Sequence, residues 1–135
     1  MIEPETELIT KKYFPKLTDI KSAAAILEGV AVKTPLILNQ HLSEKYNAKI
    51  YLKREDLQVV RSYKIRGAFS KIYHLNKTGI KNGVVCASAG NHAQGVAYSC
   101  NLLKLKGVIF MPTPTPKQKV DRVKMFGNGN VKTVL

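Results

Sequence analysis

The chain has 135 residues, 44% of them hydrophobic, and carries 22 Lys and Arg against 9 Asp and Glu, a formal net charge of +13. This is long enough for one domain with its own core and too apolar for a disordered chain. No apolar run approaches the roughly 20 residues that a membrane-crossing helix needs. The first dozen residues mix acids, bases and polar groups without the apolar stretch of a signal peptide, and Glu3, Glu5 and Glu7 are out of place in a transit peptide. The expectation is a soluble cytoplasmic protein. The basic residues are spread along the chain: the densest runs, Lys53-Arg54 and Lys117, Lys119, Arg122 and Lys124, are short, and no Gly-aromatic RNA motif accompanies them. Neither nucleic acid nor a membrane surface is therefore an expected partner, and the surface suits a protein that handles anionic small molecules. Cys86 and Cys100 form no C-x-x-C pair, and His41, His74 and His92 have no ligand spacing, so no metal site is expected. Both cysteines fall at apolar positions and are expected as free, buried thiols in a reducing compartment.

Residues 1–15 read as an N-terminal arm closed by Pro15. Thr18 is placed to cap a helix ending near Gly29, with Ile20, Ala24 and Leu27 at helical spacing. Thr34-Pro35 breaks that pattern and leads into an extended Leu36–Leu38; Asn39 can cap a short helix through Tyr46, and Lys49–Lys53 alternates like a strand. From Lys64 to about Asn76, Ile65, Ala68, Phe69, Ile72 and Tyr73 share one helical face. Beyond Gly79 and Gly83 come a short apolar strand, Val84–Ala87, and a helix from Asn91 to about Leu103 with Ala93, Val96, Ala97 and Cys100 on one side. A strand over Gly107–Met111, a Pro/Thr loop over Pro112–Pro116, a helix over Lys117–Phe126, a turn over Gly127–Asn130 and a strand over Val131–Leu135 complete the chain. Strands and helices alternate from Lys49 onward, which predicts an α/β fold with a parallel sheet and flanking helices. The chain ends on apolar, β-prone residues, which suggests a fragment.

Two segments can carry chemistry. Lys64 stands at a helix start, where partial positive charge disfavours an ammonium, so a partly desolvated lysine there is the better amine nucleophile. That suits bonding to a carbonyl cofactor and a later role as a base. On position alone, Lys64 is also readable as one more surface lysine. The second segment, Ala87-Ser88-Ala89-Gly90-Asn91-His92-Ala93-Gln94-Gly95, joins a strand to a helix. Gly90 lets the backbone approach a ligand, and free N–H groups at the helix start can bind a phosphate or carboxylate. In a parallel sheet this loop lies at the strands' carboxyl ends, where ligands gather. The plain alternative is an ordinary connection with Asn91 as a cap. The loop lacks the Lys-Ser/Thr ending of an NTPase phosphate loop, the Rossmann glycines are missing, and Ser88 has no triad partners. His92 reads as a polar neighbour of the loop.

Together the two segments resemble a family. Ser62-Tyr63-Lys64-Ile65-Arg66-Gly67-Ala68 is similar to the cofactor-lysine motif of serine/threonine dehydratases, pyridoxal-phosphate enzymes of the tryptophan-synthase-β-like fold. Ser88-Ala89-Gly90-Asn91-His92-Ala93-Gln94-Gly95 is similar to the loop that holds the substrate carboxylate in that family. Thr34-Pro35-Leu36, Leu52–Gln58 and Met111–Pro116, with Lys119 and Gly127, agree in order and spacing, so the resemblance runs from about Leu17 to Leu135. It implies that residues 16–135 are the N-terminal part of a dehydratase catalytic domain, with 51–135 forming most of its smaller α/β lobe and the rest of the domain absent. It implies pyridoxal 5'-phosphate as cofactor, held through Lys64, which also moves the substrate's α-proton. It places Ser62 close to the amino acid, Tyr63 beside the cofactor ring where phenylalanine is commoner, and Asn91 on the ring hydroxyl. Ser88, Ala89, Asn91 and His92 then fall around the substrate carboxylate.

The implied reaction removes the β-hydroxyl of threonine and gives 2-oxobutanoate and ammonia, in isoleucine biosynthesis, by a homo-oligomer when full length. The glycine-rich loop that grips the cofactor phosphate in this family is not in this segment, so the isolated 135 residues are expected to be inactive. Serine racemase, serine dehydratase and threonine synthase share these motifs and stay open. So does a reading of another class, a non-catalytic basic binding module indifferent to Lys64.

Overall fold

The computed structural model of the chain describes residues 14–80 and 82–135. The expected arm over 1–15 thus lies almost wholly outside the described residues. The elements run α1 (Leu17–Ile26), β1 (Leu36–Leu38), α2 (Gln40–Tyr46), β2 (Tyr51–Lys53), a 3-10 turn (Glu55–Leu57), α3 (Lys64–Lys77), β3 (Val84–Ala87), α4 (Asn91–Leu103), β4 (Gly107–Phe110), α5 (Lys117–Gly127) and β5 (Val131–Val134).

Local chemistry sets most boundaries. Asn39 caps α2, its Oδ1 accepting the Leu42 N–H at 2.9 Å. Asn47, Lys104 and Asn128 end α2, α4 and α5 in the left-handed conformation. Thr18 is not the cap of α1: Lys16 is, two residues earlier, where its N–H is taken by the Asp19 carboxylate at 2.7 Å. Of the apolar positions expected to anchor this helix, only Leu27 at its end is buried, while Ile20 is exposed.

β3, β4 and β5 form a parallel sheet in that order, with Cys86, Ile109 and Thr133 side by side. β2 does not join it. It pairs antiparallel with β1, Leu36 opposite Lys53, as a two-stranded ribbon. Strands and helices do alternate from Lys49 onward, but the parallel sheet that this predicts begins only with β3. One face of the parallel sheet is covered by α4, which touches all three strands and packs in turn against α3 and α5. The core between them is built from Ala68, Ile72, Ala93, Val96, Ala97, Cys100, Ile109, Met111, Val120 and Val123. The opposite face is open among the described residues, with Val85 69% and Phe110 46% exposed. Cys86, expected to be buried, is only half-buried, because β3 is the sheet's edge. A second apolar cluster, Leu27, Val60, Ile65 and Phe69, ties the end of α1 and the 58–63 loop to the other side of α3. Helix α3 is thus held from two sides.

The contact between α3 and α4 is close because of one glycine. A Cβ on Gly95 would lie 3.2 Å from both the Lys64 carbonyl oxygen and the Ala68 Cβ. Gly67, on the same helix as Lys64, has open space where a Cβ would go. Gly95→Val is accordingly expected to destabilise the protein by about 1–3 kcal/mol by forcing the helices apart. Gly67→Ala should have the opposite sign, about 0.5–1 kcal/mol of stabilisation from helix propensity. Urea unfolding of the two variants checks the pair.

Candidate functional site

Parallel topology puts the starts of α3 and α4 at the same end of the sheet. α3 runs back toward the start of β3, and α4 leaves from the end of β3, so Lys64 and Asn91, the first residues of their helices, share the carboxyl edge. The Gly95–Lys64 contact packs the start of α3 against α4 just beyond its first turn. Lys64 is half-buried, with its Nζ over the Tyr63 ring at 5.1 Å from the centroid. Tyr63 itself is 59% exposed. Ser62 is only 6% exposed, and its Oγ is buried without a hydrogen-bond partner among the described residues. An orphaned hydroxyl of this kind costs about 1–3 kcal/mol, a cost that a bound polar group can offset.

On the other helix, Gly90 is the N-cap and has no side chain to satisfy the first-turn N–H groups. Asn91 is not a cap; it lies inside the first turn and is exposed, as is His92. Ser88 Oγ accepts the Gly90 N–H at 3.3 Å, and the Ser88 N–H donates to the Phe110 carbonyl at 2.9 Å, which ties the loop to β4. Ser88 and Ala89 line an open cleft of about 390 Å³ at the ends of β3 and β4, with Phe110, Met111 and Pro112. His92 lines a different hollow of about 230 Å³ between α3 and the edge strand, beside Lys71 and Cys86. The loop's predicted members are thus split: Ser88 and Ala89 on the cleft, His92 on the groove.

The residues that lock this site together carried no functional assignment in the sequence. Arg66, in the first turn of α3, makes a bidentate ion pair with Glu55, Nε to Oε2 at 2.9 Å and Nη2 to Oε1 at 2.8 Å. Thr34 Oγ1 donates to Glu55 at 2.6 Å. Gln58, 1% exposed, accepts the Val32 N–H at 2.9 Å and donates to the Val32 carbonyl at 2.8 Å. The Arg66 guanidinium beside Glu55 pulls its carboxyl down to about 2, against the opposing effect of burial, with Thr34 and Gln58 assisting. These partners are separated by 11, 21 and 26 residues, beyond any local periodicity. The signal in the sequence was an acid and a glutamine inside the Leu52–Gln58 stretch of a basic chain.

The arrangement is an amine at one helix start, a buried hydroxyl two residues before it that is unpaired among the described residues, and an uncapped start on the helix packed against the first. That donor set fits a small ligand carrying a carbonyl and anionic groups, and so fits pyridoxal phosphate with an amino acid. Residues 27–134 match the family described as pyridoxal-phosphate dependent enzyme, and the chain belongs to that family. The biosynthetic L-threonine dehydratase IlvA of Halalkalibacterium halodurans is 60% identical over 120 residues, 89% of this chain and 29% of that protein. Maize serine racemase superposes with a TM-score of 0.79 at 30% identity, covering 90% of this chain and 36% of that one. The processed threonine deaminase isoform 2 of Solanum lycopersicum gives 0.69 at 37% identity, covering 89% and 36%. The fold is the tryptophan-synthase-β-like one in part: the chain spans about a third of the length of the proteins it matches.

Glu55 has a folded-state value of about 2 against an ordinary 4.5, so its pairing stabilises the fold fully above about pH 4.5 and is lost as pH falls toward 2. Acid unfolding followed by circular dichroism should show Glu55→Gln less stable than wild type at neutral pH, by about 1–3 kcal/mol, with the gap closing below pH 4.

Proposed function

We propose that these residues are the N-terminal part of a pyridoxal-phosphate-dependent threonine dehydratase, which converts L-threonine to 2-oxobutanoate and ammonia by β-elimination of water. One observation carries the reading: Lys64 and the uncapped Ser88–His92 turn are packed together through Gly95, in a chain 60% identical to a biosynthetic threonine dehydratase. Residues 16–135 are then the front of the catalytic domain, with 51–135 giving most of its smaller lobe.

Pyridoxal phosphate, when bound, supplies the electron sink for the charge left at the substrate's α-carbon. The chain's own residues bind and orient. Lys64 holds the cofactor through its ε-amine and, once released, is the base that moves the proton at the substrate's α-carbon. Ser62, whose Oγ is unpaired among the described residues, would face the amino acid, and Tyr63 would flank the cofactor ring. Asn91 would hydrogen-bond the ring hydroxyl, and Ser88 and Ala89, together with the first-turn backbone N–H groups of Asn91 and His92, would orient the substrate carboxylate. The substrate is a small amino acid, the assembly a cytoplasmic homo-oligomer, and the pathway isoleucine biosynthesis. The likeness to maize serine racemase favours a second reading, a serine racemase or serine dehydratase.

The test is borohydride reduction of the full-length protein followed by peptide mass analysis. A pyridoxyl group on Lys64 is expected; an unmodified Lys64 overturns the reading. Lys64→Ala should lower 2-oxo-acid formation from threonine by about 10³-fold or more. Faster turnover of serine than threonine, or racemised serine, would move the second reading ahead. The isolated 135 residues should release no ammonia from threonine, because the cofactor phosphate is held elsewhere; steady release would refute that division of labour.

A further inference from the structure

The Glu55–Arg66 ion pair closes a loop around the reactive segment. Its two ends are the 3-10 turn and the first turn of α3, and Ser62, Tyr63 and Lys64 all lie between them. Inside the loop, Val60 is fully buried against Ile65 and Phe69, and Arg61 takes a left-handed conformation, φ 58°, its N–H donating to the Gln58 carbonyl at 2.8 Å. A non-glycine residue at positive φ is strained and persists only where the surroundings hold it. The closure is anchored from outside as well. Arg66 Nη2 also donates to the Val32 carbonyl at 3.0 Å, the acceptor that Gln58 uses, and Thr34 reaches the same carboxylate.

We propose that Glu55, Arg66 and Gln58 are positioning residues for Lys64, a clasp that fixes the turn before α3 and so sets the direction in which the lysine's amine leaves the helix. The proposal rests on the assignment of Lys64 above. Glu55 and Arg66 touch no reacting atom. They act by holding the backbone of 59–63 in a strained path that Val60, buried at one point, does not define alone. A nearby ion pair supplies the contrast. Arg54 and Asp56 meet at 2.7 Å on the exposed surface and close nothing.

The experiment uses the full-length holoprotein with three substitutions: Glu55→Gln, Arg66→Lys, which keeps the charge but loses the bidentate fork, and Asp56→Asn as control. For the clasp variants we expect kcat for threonine to fall about tenfold or more with KM little changed, since small misplacement of a reacting group costs rate rather than binding. The visible band of the lysine-bound cofactor should shift or broaden, and in the cofactor-free protein the amides of residues 59–65 should exchange faster. Asp56→Asn should match wild type in all three. The combined Glu55→Gln/Arg66→Lys protein should be no worse than the weaker single variant, because the two act as a unit. A purely structural pair would lower the yield of folded protein and leave kcat, band and local exchange of the folded fraction unchanged; that result overturns the clasp. If Glu55→Gln does not fold, Arg66→Lys decides alone by the same criteria. Failure of the broader reading is distinguished at once, because wild type would then carry no pyridoxyl group on Lys64.

Discussion

The whole arrangement depends on how closely α3 can approach α4. Side chains of ordinary size along both helices would keep their axes well apart, but Gly95 lets the Lys64 carbonyl come within van der Waals reach of the α4 backbone. Ala68, one turn along, continues the small contact. Everything else is built around that seam. α4 fills the space between α3 and the sheet, Ile109 and Cys100 close the core beneath it, and the two helix starts emerge at one edge. The two motif segments, separated in the chain by a helix and a strand, are brought side by side through this contact.

Charge is organised on a similar principle of scarcity. In a chain with 22 basic and 9 acidic residues, a carboxylate that is shielded from water is a committed one. Glu55 is met by a guanidinium, a hydroxyl and an amide at once, which explains why its carboxyl stays ionised far below the usual range. Lys64 has no carboxylate partner among the described residues; its amine lies over the face of Tyr63, an interaction that leaves it free to be drawn elsewhere.

The parallel part of the fold was legible because it obeys short-range rules. The face Ile65, Ala68, Phe69, Ile72 is buried as the helical period requires, and the strands over 84–87, 107–110 and 131–134 fall where apolar runs meet turn residues. The first third was harder. The stretch over 49–53 looks like a strand in sequence, but its partner is set by what lies beside it, and periodicity does not encode antiparallel pairing with Leu36–Leu38. Thr18 lost its expected role to the backbone–carboxylate bond at Lys16, two residues earlier. At the site, residue types and the Gly90 turn pointed to Lys64 and the Ser88–His92 loop. The separation of His92 into another hollow, and the reach of Gln58 across 26 residues to Val32, are products of tertiary packing with no local signature.

The two thiols bear on selectivity. Burial pushes Cys100 up to about 11, with Cys86 beside it adding to the effect, and burial raises Cys86 as well. Both therefore remain protonated in neutral solution, and a protonated thiol is a poor nucleophile. An aldehyde entering this part of the protein meets no thiolate that could trap it as a hemithioacetal.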